Sequence, residues 1–198
     1  MSEKLAQERQ TRALELRSEG EEILREKCRR LTKDEIRTEV IQNLIDDMKY
    51  TCDEGRWGVG LSANQVGEAL AISVIAVKPT PSRPDLELYE KVCINTEIVE
   101  TFGEPELMWE GCVSTAMGEN GEPAMGQVPR HTKVRVKYLD RDGGGHDEIV
   151  EGFVAHVLQH ETDHLGGVLF TDLIGTGSLV TNREYRERVK KFRGRARR

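Results

Sequence analysis

Apolar positions along this chain fall into two periods, one suited to strands and one to helices. Ala71–Val77 (AISVIAV) is a short, β-branched apolar run of the kind a buried strand shows. Lys78-Pro79-Thr80-Pro81 ends it, and Ser82–Glu90 reads as an exposed loop. Val92–Asn95 and Glu97–Thr101 predict two further short strands. Lys133–Asp140 (KVRVKYLD) alternates like a half-buried strand, Arg141–Gly145 supplies a hairpin turn, and Asp147–Val150 can return antiparallel. Helical spacing appears elsewhere. Thr32-Lys33-Asp34-Glu35 has the capping-box pattern, and behind it Ile36, Val40, Ile41, Leu44, Ile45 and Met48 form a stripe expected in the core. Gly55, Gly58 and Gly60 interrupt that helix. Gly152–Leu165 predicts a second helix with Phe153, Val157 and Leu158 on its apolar side; Gly166-Gly167 stops it, and Val168-Leu169-Phe170 predicts a short strand. Residues 1–30, charge-rich with scattered apolar positions, predict a weakly amphipathic helix with its first dozen residues disordered. Asn182–Phe192 predicts a charged closing helix, and Thr115–Gln127, polar and glycine-rich, a mobile loop.

Composition narrows the class. A chain of 198 residues, 37% hydrophobic and 32% charged, is most simply one soluble domain with a substantial core. No apolar run approaches the roughly 20 residues of a membrane span, and the acid-rich start MSEKLAQERQTRALELRSEGEE lacks the apolar region of a secretory signal. Cys28, Cys52, Cys93 and Cys112 without such a leader predict reduced thiols and a cytoplasmic location. Charge is divided unevenly: Asn182–Arg198 carries a net +7, leaving −13 on the rest of a chain whose total is −6. A basic tail on an acidic body points to an anionic partner, RNA first, or to a merely solvated terminus.

The candidate chemistry centres on Gln159-His160-Glu161-Thr162-Asp163-His164, which reads H-E-x-x-H. Residues four apart share one helix face, so His160 and His164 can aim at one metal ion, with Glu161 free to serve as general base on a water held there. A catalytic metal usually keeps three protein ligands and an open position, and the thiolate of Cys112 is the best third candidate. His156, one turn before His160, is expected to face solvent or to stand behind a ligand, and His131 and His146 to lie on the surface. The run Gly58–Gln65 lacks the Gly-Lys-Ser/Thr ending of a phosphate loop. It suits backbone lying close to a ligand, with the Gln65 amide able to meet a developing oxyanion.

Gly58-Val59-Gly60-Leu61-Ser62-Ala63-Asn64-Gln65, then Glu110-Gly111-Cys112-Val113-Ser114, then His160-Glu161-Thr162-Asp163-His164 resembles the three ordered motifs of the peptide deformylases. Gly20-Glu21-Glu22-Ile23-Leu24-Arg25 is similar to that family's early stretch, and the resemblance covers roughly residues 20–170. It implies an α+β fold, with antiparallel sheets around a central metal-binding helix and the Ile36–Met48 helix packed outside. It implies a catalytic domain over 20–181, flanked by a helical or disordered extension, 1–19, and a basic helix or tail, 182–198. The implied activity is removal of the formyl group from N-formyl-methionyl chain ends, a water on the metal attacking the formyl carbonyl. The implied ligands are Cys112, His160 and His164; the implied catalytic groups are Glu161, Gln65 and the Val113 backbone N–H. Glu110 and Arg130 would support the site, and Val59, Gly60, Phe153 and Val157 would lie near the methionine side chain. Fe²⁺ is the ion the resemblance favours, although imidazole and thiolate suit Zn²⁺, Ni²⁺ or Co²⁺ equally. Partners would be the formylated peptide and, through the basic tail, the ribosome or its RNA, with a monomer as default.

Several positions depart from the family pattern: Ser62 replaces a usual alanine, Thr96 a frequent proline, Thr162 is unusual, and the 115–127 segment is long. Two other readings therefore stay open. One is an ordinary H-E-x-x-H zinc peptidase, which the upstream cysteine motif and Gln65 speak against. The other is a catalytically weak deformylase-like protein with altered substrate, or a ribosome- or RNA-binding relative.

Overall fold

A computed structural model describes residues 9–54, 58–81, 83–116, 123–174 and 179–195, with backbone alone at 116, 123 and 190–195. Helices α1 (Lys33–Ile36) and α2 (Glu39–Glu54) precede strands β1 (Gly60–Ser62), β2 (Ile72–Val77), β3 (Tyr89–Phe102), β4 (Glu106–Ala116), β5 (Pro123–Arg130), β6 (Lys133–Leu139) and β7 (Gly145–Glu151). Then follow α3 (Gly152–Leu165), α4 (Phe170–Leu173), β8 (Val180–Thr181) and α5 (Asn182–Arg195). The strands form a five-stranded sheet, β1-β2-β3-β6-β7, and a three-stranded one, β4-β5-β8, with every pairing antiparallel. The fold is α+β.

The unbroken apolar run of β2 has a direct cause. Successive strand residues point to opposite faces. Ile72 and Val74 pack with Ile41, Ile45 and Met48 of α2, while Ile75 and Val77 pack with Ala155, Val157 and Leu158 of α3. The larger sheet is thus covered by a helix on each face, and α3, which carries the H-E-x-x-H pattern, covers the face lined by Ile75 and Val77. Cys112, Ala124 and Val128 of the smaller sheet close against Phe170 of α4. No described helix is long and apolar enough to cross a membrane.

Several elements differ from the expectations above. Residues 9–18 form neither helix nor strand and are tied to α2, where Arg9 bonds the Asp47 carboxylate, Arg12 N–H donates to Asp47 Oδ1 at 3.1 Å, and Leu14 N–H to Thr51 Oγ1 at 2.9 Å. The disorder expected of the first dozen residues falls, up to residue 8, outside the described residues. The Thr32–Glu35 capping box starts a single-turn helix of its own, and Val40, expected in the core stripe, is 76% exposed because α2 begins afresh at Glu39. The two short strands expected around Thr96 are one long strand, β3. Asn95 takes a left-handed φ of 57° and the register with β6 slips there, while its side-chain amide pairs with both backbone groups of Leu31 at 2.8 Å. Much of the expected loop 115–127 is hairpin strand, with its tip, 117–122, outside the described residues. Val168–Phe170 is not a strand: Leu169 N–H donates to Asp172 Oδ2 at 2.9 Å, starting α4. His131 and His146, expected at the surface without partners, both have them: His131 Nδ1 lies 3.0 Å from the Gly103 carbonyl, and His146 lies 2.7 Å from Asp140 and stacks on Tyr138.

Candidate metal centre and substrate cleft

His160 and His164 stand one turn apart on α3, and β4 brings Cys112 to them. Cys112 Sγ lies 3.3 Å from His164 Nε2, and the ligating atoms of Cys112, His160 and His164 are all within 4.8 Å of one another. One soft thiolate and two imidazoles converging at this spacing fit a single transition-metal ion. The tautomer of His160 fits too. Its Nδ1 is held by Glu110 Oε2 at 2.8 Å, which leaves Nε2 to face the other two donors. Burial pushes the His164 pKa well down, towards the neutral form a ligand requires. His160 moves the other way: burial opposes its charged form, but hydrogen bonds with Cys112 and Glu110 outweigh burial. An ion arriving there displaces a proton.

Glu110 is the support of this arrangement. Its carboxylate is buried, and Oε1 meets His156 Nε2 at 2.8 Å and Arg130 Nε at 2.6 Å. Arg130 continues to Asp163 on α3 at 2.6 Å, so the strand carrying Cys112 and the helix carrying both histidines are joined through one buried cation. Burial alone would raise the Glu110 pKa; bonds from His156, His160 and Arg130 hold it far below the usual range. His156, expected to face solvent or back a ligand, does the latter.

Glu161 is buried against β1. A Cβ added at Gly60 would lie 2.4 Å from Glu161 Oε1, so only glycine leaves the carboxylate its place. The other oxygen accepts from Ser62 Oγ at 2.7 Å, and Ser62 Oγ is itself 2.8 Å from Ser73 Oγ. Burial raises the Glu161 pKa, His160 and the Ser62 bond working against it, which suits a proton acceptor. Gln65 accepts from Ser62 N–H at 2.8 Å and turns its amide N–H towards Cys112 Sγ (3.3 Å) and Ser114 Oγ (3.2 Å). Val113 lies where β4 and β5 lose register, between Gly111 and Ala116. Asn64 donates to the His164 carbonyl at 2.7 Å, tying the glycine-bearing run to the end of the metal-bearing helix.

A cleft of about 740 Å³ opens over these groups. Val59, Gly60, Phe153 and Val157 line it together with Cys112, His160, Glu161 and Gln65. Of the site residues singled out from sequence, His164 and Arg130 are absent from the lining; His164 lies beside Cys112, and Arg130 acts from behind through Glu110. Ser62, Ser114 and Asp163 were given no role from the sequence. Ser62 carried a usable signal, because Ser-Ala-Asn-Gln has the S-x-x-Q form of a capping box; the others carried none.

The polypeptide deformylase family model matches residues 13–178. Peptide deformylase 2 of Nostoc sp. is 38% identical over 154 residues, 76% of this chain and 82% of that protein. The peptide deformylase of Leptospira biflexa is 36% identical over 165 residues, 81% and 87% of the two chains. The crystal structure of a class I type b peptide deformylase from Acinetobacter baumannii, with Met-Ala-Ser bound, superposes with a TM-score of 0.75 at 35% identity, covering 83% of this chain and 100% of that one. The peptide deformylase of Synechococcus elongatus in complex with actinonin gives 0.64 at 34% identity, covering 82% and 79%. With the three motifs gathered at one centre and most of the chain matched in both sequence and fold, the protein belongs to the polypeptide deformylase family.

Proposed function

We propose that Cys112, His160 and His164 hold one divalent ion, and that Glu161, Gln65 and the Val113 backbone carry out deformylation around it. The chain is an enzyme that removes the formyl group from N-formyl-methionyl chain ends. The observation carrying the site assignment is the convergence of the three ligating atoms within 4.8 Å of one another. Bound there, a divalent ion supplies Lewis acidity, lowering the pKa of a water and polarising a carbonyl oxygen. Glu161 takes the proton of the attacking water on its carboxylate, held in aim by Ser62 and by the space at Gly60, and passes it to the leaving amine nitrogen. Gln65 Nε2–H and the Val113 N–H donate to the oxygen that becomes negative as the formyl carbon turns tetrahedral. Val59, Phe153 and Val157 give the methionine side chain an apolar seat. Glu110 and Arg130 keep His160 and the β4 backbone in place.

Ferrous iron is the ion we assign, on family resemblance; the same donors suit Zn²⁺, Ni²⁺ or Co²⁺. We assign the protein to the cytoplasm, as a monomer, with residues 20–181 as the catalytic domain between a 1–19 extension and the 182–198 tail. That tail, with its net +7, is proposed to touch ribosomal RNA; binding should weaken steeply with added salt and on deletion of Lys190–Arg198.

The test compares formyl-Met-Ala-Ser with its acetylated and unblocked forms on one preparation whose metal content is measured. Formate release from the formylated peptide alone is the expected result. Cleavage of an internal bond in the unblocked peptide would instead make the protein a peptidase.

A further inference from the structure

Ser73 is the one polar side chain in the apolar strand β2, and it is buried. A buried hydroxyl needs a partner, and the fold supplies it. Residues of β2 alternate between faces, so Ser73 points, with Ile75 and Val77, towards α3. β1 pairs with β2 at Ser62↔Ser73, which sets the two hydroxyls side by side on that face, 2.8 Å apart. Ser62 is also buried; its Oγ lies 2.7 Å from Glu161 Oε2 and 3.2 Å from the Glu161 carbonyl. Neither serine lines the cleft.

The count of protons fixes the direction of these bonds. An ionised carboxylate can only accept, and each hydroxyl has one proton to give. Ser62 therefore donates to Glu161 Oε2, with the more distant Glu161 carbonyl a weaker competitor. The Ser62 oxygen is then left to accept from Ser73. The chain runs from Ser73 to Ser62 to Glu161, each bond polarising the next. This gives the two carboxylate oxygens different tasks. A proton placed on Oε2 would meet the Ser62 proton head-on and force the hydroxyls to turn. Oε1, the oxygen beside Gly60, takes a proton without any such rearrangement.

We propose that Ser73 is a positioning residue of the reaction: acting through Ser62, it keeps Glu161 Oε2 anchored and leaves Oε1 to carry the proton. Oε1 receives that proton from the attacking water and hands it to the leaving amine nitrogen. This rests on the deformylase reading. Alanine is usual in the family at position 62, so the hydroxyl chain is a feature this protein adds to the common site.

The experiment is a double-mutant cycle on the metal-loaded protein, with wild type, Ser62→Ala, Ser73→Ala and the double variant compared in kcat and KM for formyl-Met-Ala-Ser, metal content and Tm. Loss of a hydrogen bond to a charged group should lower kcat roughly tenfold in Ser62→Ala. Loss of the supporting donor in Ser73→Ala should lower it roughly threefold. KM and metal content should not change. Because Ser73 acts through Ser62, the double variant should be no slower than Ser62→Ala. It should also melt at a higher temperature, since Ser62→Ala strands the Ser73 hydroxyl in the core. Rate and stability thus move differently in the double variant, as they would not for a pair that only held the strands together. Ser73→Ala decides by itself if the other variants do not fold: a slower kcat at full metal content and unchanged KM supports the inference. Wild-type kcat in Ser73→Ala, a loss matched by lost metal, or single losses that multiply in the double variant overturn it and leave the deformylase reading standing. No formate release by the metal-loaded wild type overturns that reading, and the inference with it.

Discussion

Gly60 faces the Glu161 carboxylate so closely that a Cβ at residue 60 would fall 2.4 Å from Oε1. The conflict extends to Glu161 Cδ at 2.8 Å and Cγ at 2.9 Å, all side chain and none backbone. Gly60→Ala should therefore fold with little loss of stability while the carboxylate is pushed off its aim. Misplacement of a reacting group by about 1 Å costs on the order of 10²-fold in rate. A fall of that size in kcat/KM with unchanged Tm and metal content is the expected outcome; wild-type turnover would mean that the position of Glu161 is not critical.

Cys112 supplies the lone sulfur among the three converging donors, and Gln65 donates to it at 3.3 Å. Cys112→Ala leaves two imidazoles, fewer than a tightly held ion needs. Metal analysis after dialysis should show well under one equivalent, against close to one for the wild type. Treating the wild type with a chelator should abolish formate release, and adding Fe²⁺ without oxygen should restore it. Full occupancy in the variant would remove Cys112 from the ligand set.

Asp47 fixes the N-terminal segment to α2 through Arg9 and the Arg12 N–H. Burial raises its pKa, but these bonds outweigh burial and hold it below the ordinary carboxylate value. A depressed folded-state pKa contributes stability that is complete above the ordinary value and is lost as pH falls through the folded one. Asp47→Asn should lower Tm by roughly 2–6 °C near neutrality. The gap to the wild type should close as the pH drops below the ordinary carboxylate range. A gap that stayed constant down to acid would show that the charge of Asp47 does not hold the segment.

Local chemistry was legible in the sequence, and shape was not. His160 and His164 could be placed on one face because a helix repeats within their spacing, and β2 could be recognised because both its faces are buried. The two-strand expectation around Thr96 failed for a reason no periodicity carries: Asn95 turns left-handed and exchanges hydrogen bonds with Leu31, far away in sequence, so one strand continues through the irregularity. Residues 9–18 have the composition of a helix but form none, because the backbone donors of Arg12, Leu14 and Arg17 are taken by Asp47, Thr51 and Gln65. His156 gave no sign of its buried bond to Glu110. The cleft-facing side of α5 was hidden for a different reason: Asn182, Tyr185, Arg186 and Val189 line the cleft, and that stripe is too polar to mark a core face.

Glu110 is where fold and chemistry meet, and its neutral isostere separates them. In Glu110→Gln one oxygen remains to accept, and the amide nitrogen must face donors, either His156 and Arg130 Nε or His160 and Arg130 Nη2. Arg130, 6% exposed at its side chain, keeps Asp163 but loses its buried partner. Breaking a buried pair from one side typically costs 3–5 kcal/mol; with Asp163 still paired, about 3 kcal/mol is expected in urea unfolding. Freed from the carboxylate at Nδ1, His160 is a weaker and less oriented ligand, so metal affinity measured by chelator competition should fall roughly 10–100-fold. The two losses have different sources and can be told apart. If stability falls while affinity holds, Glu110 serves only to join β4 to α3; if affinity falls at unchanged stability, Asp163 alone suffices for Arg130 and the carboxylate acts on the ligand.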